Sequence, residues 1–484
     1  MSITINTAIA AFSDLMIATL FLLFSFLNLS KLRSKIPYVE GIANSIIHDA
    51  FRQVTHDRIC TKQRDLILNH CPPYLTFLLR SRKPLPCRNM NHFLIFGTHP
   101  RLSLAELRAV LPLATPPMLI NSGALVDPPT WDGAELMERL GGTVKLGDLV
   151  AKIPLERLNA QAIFDVLRNY SRKNAEFGLT FVGGSRNATK WKRIPIELKK
   201  IFKTHGRKSR WVTSKDDATL SPAAVAKLKL TTDGYDIVCF IKEQTCHVGL
   251  TTHVQDADAW SKRDYGRPAR DELAGMLPPK LAHIMVNLAQ LQSGQTLIDP
   301  FCGNGTILME ASIMNPDIKL IGSDLDEHQV KTTRKNQEWL IRQNIVDAEP
   351  HTQLFAGDVR ALASRIKPKT IDAVVTEGSL GPLLKGSETQ KRLDRNRDEI
   401  EELWRASFKA LHPLLKNEAN LVVIWPSYRT SHGQARVQLD AEVAKLGYKM
   451  VNPLEGWDER NGPLLYHRQG QKVGRRIVVL KAQR

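Results

Sequence analysis

The segment Thr296-Leu-Ile-Asp-Pro-Phe-Cys-Gly-Asn-Gly-Thr306, running on into Ile307-Leu-Met-Glu-Ala-Ser312, constrains the fold of this chain more than any other. A short apolar strand enters a turn with two glycines and leaves it as a helix. Gly303 and Gly305 let backbone approach a ligand where a side chain would collide, and Asp299 at the strand end can accept a hydrogen bond from an amine. The spacing is neither that of a phosphate-binding P-loop, GxxxxGK[ST], nor GxGxxG. Two further strands give the turn its weight. Lys319-Leu-Ile-Gly-Ser-Asp-Leu-Asp326 places Asp324 about twenty residues after the glycines, where a doubly wound nucleotide site puts the carboxylate that holds ribose hydroxyls. His351–Phe355 leads to Ala356-Gly357-Asp358, a third acid at a strand end. Any one of these acids reads equally well as a helix N-cap. Three in succession beside the turn fit one adenosyl ligand lying across the carboxyl edge of a parallel sheet.

The fourth strand of this series is Ile371-Asp-Ala-Val-Val-Thr-Glu-Gly-Ser-Leu-Gly-Pro382, with Glu377 just past its apolar part and facing the same crevice. The exocyclic amine of a base is a poor nucleophile because its lone pair is delocalised into the ring. A carboxylate that accepts its hydrogens draws the nitrogen towards tetrahedral geometry and aligns it with an electrophile, and positioning of this kind can supply much of a rate enhancement. Glu377 as a mere turn or cap residue is the plainer alternative.

The rest of the chain is read around this centre. Its 67 Lys+Arg against 49 Asp+Glu give a formal net charge of +18, which favours a polyanionic partner because each neutralised phosphate releases counterions. Charge alone does not separate RNA, DNA and anionic lipid. The six cysteines form no CxxC pair and no zinc-type spacing, so no metal site is expected and a reducing, cytoplasmic compartment is. From residue 90 a strand at His92–Phe96, a capping box at Ser103–Glu106 opening a helix through Val110, a strand at 118–126, a helix at 131–140 and a strand after Gly142 suit a small ferredoxin-like α+β unit over 90–154. A second α+β unit spans 155–256, with helices at Ala160–Leu167 and Ile196–Thr204. Lys199, Lys200, Lys203, Arg207, Lys208 and Lys227 recur near its helix ends, as phosphate contacts would. Residues 257–274, dense in charge with Gly and Pro, read as a linker, and from 275 to 484 helix and strand alternate as in a doubly wound α/β sheet.

Residues 1–89 read as an extension of doubtful reality. Leu15–Leu27 is an apolar run followed by Lys31, Arg33 and Lys35, and 15–29 is a candidate anchor slightly short of the roughly 20 residues a membrane span needs. Met90 stands at the edge of the first clean domain and is the expected true start. Stable membrane association is expected only if residues 1–35 are genuine, and native peptides from 36–89 in a mass spectrum would refute the extension reading.

Asp299-Pro-Phe-Cys-Gly-Asn-Gly-Thr306 resembles the cofactor motif of Rossmann-fold methyltransferases joined to a THUMP RNA-binding domain. Ser261-Lys-Arg-Asp-Tyr-Gly-Arg-Pro-Ala-Arg270 and Gly275-Met-Leu-Pro-Pro-Lys-Leu-Ala282 are similar to the run that precedes that motif in the family. The likeness is greatest to the tRNA guanosine-N2 methyltransferases acting at position ten. It implies S-adenosyl-L-methionine as cofactor, tRNA as partner, a THUMP domain at 155–256 and a ferredoxin-like domain before it. Carried to matching positions, it puts Asp299, Gly303 and Gly305 along the methionine part of the cofactor, Asp324 on the ribose and Asp358 near the adenine amine, with Pro300, Cys302 and Thr306 also in the cofactor site. It puts Glu377 where an Asp-Pro-Pro-Tyr-type motif holds the target amine, and adds Arg263, Arg267 and Arg270 to the RNA contacts. Gly378 and Ser379 depart from that motif, lacking the proline and the aromatic ring that stacks on the flipped base, which leaves three readings: another aromatic such as Trp425 or Tyr428 substitutes, the favoured one, base binding is weaker, or activity is lost. A DNA amino-methyltransferase and a non-catalytic tRNA-binding protein are the two rival readings.

Overall fold

The computed structural model describes residues 90–184, 191–214, 219–270, 276–458 and 462–483. The chain divides into two units, Met1–Cys87 and Arg88–Arg484. The apolar run at 15–29 and the proposed extension lie outside the described residues. No helix among the described residues is long and apolar enough to cross a membrane.

The first layer is an eight-stranded sheet. Strands β1 (His92–Phe96), β2 (Met118–Ile120), β3 (Gly123–Val126) and β4 (Thr143–Pro154) enclose helices α1 (Pro100–Val110) and α2 (Gly133–Arg139). The order β2-β3-β1-β4, antiparallel throughout, is the split βαβ plan of a ferredoxin-like unit. The expected single strand at 118–126 is a hairpin, turned at Asn121, which takes the left-handed conformation. The capping box expected at Ser103–Glu106 is absent. Pro100 starts the helix three residues earlier, where its missing N–H costs nothing. Ser103 donates instead to the Gly142 carbonyl (2.8 Å).

The sheet does not stop at residue 154. The twelve-residue β4 also pairs antiparallel with β8 (Thr245–Val254), and the sheet continues through β7 (Tyr235–Lys242), β5 (Ala175–Gly183) and β6 (Ser209–Val212). The two α+β units read from the sequence therefore share one continuous sheet. Helices α3 (Ala160–Leu167), capped by Asn159, α4 (Ile194–Thr204) and α5 (Pro222–Lys227) accompany its second half.

Helix α6 (Ala257–Tyr265) follows, capped by the Asp256 side chain, so the segment expected as a linker begins as an ordered helix with Trp260 buried. Beyond it lie α7 (Pro279–Leu288), β9 (Thr296–Asp299), α8 (Thr306–Met314), β10 (Lys319–Asp324), α9 (Glu327–Arg342), β11 (Thr352–Ala356), β12 (Ile371–Thr376) and α10 (Gln390–Leu411). Strands β13 (Leu415–Thr430), β14 (Gly433–Arg436), β15 (Tyr448–Val451), β16 (Leu464–Tyr466) and β17 (Val473–Ala482) complete the second sheet. Its order, β11-β10-β9-β12-β13-β17-β15, is that of a doubly wound nucleotide fold with the antiparallel β17 inserted before the last strand. The α/β expectation holds. Successive side chains alternate between faces: Leu297, Val422 and Ile424 pack with α7 and α8, while Ile298, Val423 and Trp425 pack with Trp404 and Phe408 of α10. Helices on both faces leave the carboxyl edge of the parallel strands as the open place for a ligand.

The two sheets are joined by a buried polar network. Glu106, fully buried, accepts from the backbone N–H groups of Gly141 (2.9 Å) and Gly142 (2.8 Å) and from Asn287 Nδ2 (2.7 Å). His283 bridges the Arg139 carbonyl (3.0 Å) and Glu310 (3.0 Å), and Glu310 also accepts from Arg263 (2.9 Å). Burial raises the Glu106 carboxyl above the usual carboxylate range, and the surrounding donors oppose that rise.

Candidate active site

Parallel pairing sets the site. Gly322 lies opposite Asp299, and Asp324 lies opposite Ala356, so the acids of β9 and β10 end at one edge. There the Asp324 carboxylate accepts from Gly303 N (2.9 Å) and Asp326 N (3.0 Å), which ties the second strand to the glycine turn. Asp299 is 1% exposed and accepts from Phe301 N (3.2 Å). Burial pushes its carboxyl up to about 7, with the charges of Asp324 and Glu377 adding to the shift. Asp324 and Glu377 thus both lie within electrostatic reach of Asp299.

The two glycines of the turn do different work. Both are left-handed, Gly303 at φ +52° and Gly305 at φ +81°. A Cβ on Gly305 would stand 2.7 Å from Thr333 Cγ2, whereas a Cβ on Gly303 would meet nothing within 4 Å. Gly305 is needed by the protein and Gly303 borders open space. Gly305→Ala is therefore expected to destabilise the fold by about 1–3 kcal/mol. Gly303→Ala meets no neighbour and should cost only the left-handed backbone strain, about 1–2 kcal/mol, yet lose affinity for whatever fills that space. Thermal unfolding beside ligand calorimetry checks both. The turn is fastened by Thr333, which donates to the Gly303 carbonyl (2.7 Å), and by Arg267, which donates to Thr306 Oγ1 (2.6 Å). Cys302 is packed beneath it, and burial pushes its thiol far up, so it is no nucleophile. Pro300 leads into the turn, and its carbonyl accepts from Ser323 Oγ (3.2 Å).

Asp358 stands apart from these three. Its carboxylate caps the turn at 359–364, accepting from Arg360 N (2.8 Å), and pairs with the Arg360 guanidinium, which holds it down at about 2. It occupies the third strand's end, but its geometry is that of the N-cap alternative.

Glu377 is held by a residue that sequence reasoning missed. Arg475 of β17, 3% exposed, donates through Nε to Glu377 Oε1 at 2.5 Å. Burial raises the Glu377 carboxyl, and Arg475 opposes that rise. The loop that follows explains the missing proline and aromatic. Gly378 is left-handed (φ +67°), a conformation closed to proline, and a Cβ there would stand 2.6 Å from Trp404 Cζ2. The expected aromatic substitutes are not available to a base. Trp425 is 0% exposed in the core of the sheet. Tyr428 is 1% exposed, with its hydroxyl donating to the Leu380 carbonyl (3.1 Å), so it props the loop from beneath.

The basic candidates separate in the same way. Lys199, Lys200, Lys203, Lys208 and Lys227 are exposed. Arg207 is folded inward, donating to the Arg172 (2.7 Å) and Asn174 (2.9 Å) carbonyls and to Tyr235 Oη (3.1 Å). Arg263 and Arg267 are buried on Glu310 and Thr306, so neither reaches a phosphate. Arg270 is partly exposed beside the Tyr265 ring. Among the described residues no group of His, Cys, Asp or Glu could hold a metal ion.

Residues 267–447 match the family model described as UPF0020, an RMKL-like methyltransferase domain. The match takes in the glycine turn, all four acids and Arg267, and ends before Arg475. A probable tRNA (guanine(10)-N2)-dimethyltransferase of Methanothermococcus thermolithotrophicus is 36% identical over 103 residues, 21% of this chain and 60% of that protein. A tRNA (guanine(10)-N2)-dimethyltransferase of Methanocaldococcus jannaschii is 30% identical over 162 residues, 32% of this chain and 43% of that protein. This chain thus spans less than two thirds of either relative. The crystal structure of TrmN from Thermus thermophilus superposes with a TM-score of 0.48 at 16% identity, covering 81% of this chain and 99% of that one.

Proposed function

We propose that this chain is an S-adenosyl-L-methionine-dependent methyltransferase acting on the exocyclic N2 amine of a guanosine in tRNA. The grouping of Asp299, Asp324 and Glu377 beside the glycine turn, within the span that matches the UPF0020 model, carries this reading. The residues present suit that cofactor: Gly303 leaves room, Asp324 at the end of β10 is our candidate for the ribose hydroxyls, and buried Asp299 suits the ligand's ammonium group. Bound there, it would supply an electrophilic methyl group at the strand edge. Glu377, oriented by Arg475, accepts a hydrogen bond from the amine, turns its lone pair towards that edge, and is placed to take the one proton the nitrogen sheds on methylation. Asp358 remains our candidate for the adenine side, through whatever acceptor capacity Arg360 leaves it. The exposed lysines of the first sheet are the proposed phosphate contacts, and the cytoplasm the proposed compartment.

Radiolabelled methyl transfer to tRNA transcripts, with digestion and nucleoside mass spectrometry, tests this; absence of N2-methylguanosine sinks it. Duplex DNA assayed in parallel addresses the DNA-methyltransferase alternative, against which the basic sheet ahead of the catalytic domain speaks. Cofactor binding without transfer to any nucleic acid would favour the non-catalytic binder.

A pH dependence follows from Asp299. The folded protein keeps a proton there that the unfolded chain releases between about pH 4 and 7, so ligand-free stability falls as pH rises through that window. An ammonium ligand prefers the ionised carboxylate. Cofactor affinity should therefore be roughly tenfold weaker at about pH 6 than at about pH 8, and Asp299→Asn should flatten that dependence. Calorimetry at the two pH values checks it.

A further inference from the structure

A cleft opens between the end of α6, with Arg270, Met276 and Pro278, and the hairpin that joins β16 to β17. One wall carries Tyr265, 62% exposed, with the Arg270 guanidinium 5.2 Å from its ring centre. The opposite wall carries Arg468, anchored by donation to Tyr466 Oη (2.7 Å), and Gln471. Met276 and Pro278 contribute apolar surface. Gln471 Oε1 is shielded from solvent and has no hydrogen-bond partner among the described residues, an acceptor waiting for a donor. Asp264, also on the lining, lies within the field of Arg267 and Lys280, which offsets its charge.

Each wall leads to the chemistry. Arg267, two residues from Tyr265, is bonded to Thr306 of the glycine turn. Arg475, four residues from Gln471, holds Glu377, and four residues of extended chain span at most about 14 Å. An exposed ring, two guanidinium groups and an unsatisfied acceptor are the elements that hold an unpaired nucleotide: a stacking platform, phosphate contacts and a partner for a base N–H.

Resting on the RNA substrate proposed above, we infer that this cleft binds a single-stranded RNA nucleotide flanking the target guanosine, with Tyr265 stacked on its base. The ring missing at Ser379 is thus compensated on the neighbouring nucleotide. Steady-state methylation of tRNA by wild type, Tyr265→Phe, Tyr265→Ala and Gln471→Ala tests it. Tyr265→Ala should raise KM for tRNA roughly tenfold, Tyr265→Phe by less than about twofold, with kcat at saturating tRNA and cofactor Kd unchanged. An unchanged KM in Tyr265→Ala overturns the inference while leaving the methyltransferase reading intact, and a weakened cofactor Kd overturns it by giving the cleft to the cofactor. Ultraviolet crosslinking of tRNA with peptide mapping reads the cleft without turnover. An adduct on Tyr265 is expected even if wild type transfers no methyl group; no adduct, together with unaltered tRNA binding by Tyr265→Ala, overturns it.

Discussion

Replacing Glu377 by alanine is expected to lower kcat for tRNA methylation by about three orders of magnitude while cofactor Kd stays within about twofold. In the proposed reaction the side chain acts on the amine and not on the cofactor, so the loss belongs in kcat. The variant also removes the carboxylate to which Arg475, 3% exposed, donates, so a loss of stability accompanies the loss of chemistry. Unfolding and lost chemistry are separated by the double variant Glu377→Ala/Arg475→Leu, which should regain stability and no activity. Arg475→Gln alone gives the complementary result. Without its cation, the buried Glu377 carboxyl rises further, so the acid limb of the pH–rate profile moves to higher pH. Activity lost at neutral pH then returns in part on the alkaline side, a rescue unavailable to Glu377→Ala. Equal loss at every pH in Arg475→Gln would leave Arg475 a structural residue only.

The ends of β9, β10 and β12 were legible because each is a short apolar run closed by an acid, and a buried parallel strand announces itself locally. The glycine turn was legible for the same reason. What decided the rest lies far away in the chain. Arg475 follows Glu377 by almost a hundred residues, and only the antiparallel return of β17 brings them together. Two arginines inside the apolar strand Val473–Ala482 were the available signal, since such a strand buries charge only against a partner. Trp404, beneath Gly378, explains the altered loop and gives no local hint. Trp425 and Tyr428 failed as base platforms because chain position tells which strand carries a ring, not which face it takes. The charged run at 257–274 misled in the opposite direction: Asp256 as N-cap and an apolar Trp260 inside the run were signs of a packed helix, and they were outweighed by composition.

Arg263 belongs to that packed helix. As an RNA contact it would be dispensable to folding, whereas the structure seats it over the Trp260 ring at 3.7 Å and on Glu310, itself 1% exposed, where the two sheets meet. Glu310→Leu leaves Arg263 and His283 facing a removed acceptor, and a stability loss of about 3–5 kcal/mol is expected in urea unfolding. Arg263→Met leaves the carboxylate partly satisfied by His283 and should cost less. The double variant Arg263→Met/Glu310→Leu removes both charges and keeps the volume, so it should recover most of the loss, with a coupling energy of about 1–3 kcal/mol. Affinity for tRNA in Arg263→Met, measured where the variant is fully folded, should equal that of wild type. Additive losses in the cycle, or an RNA affinity that falls with a steady fold, would return Arg263 to the binding surface. The expected coupling instead makes the charged run part of the joint that fixes the basic sheet relative to the carboxyl edge, and with it the distance from the proposed phosphate contacts to the proposed site of methyl transfer.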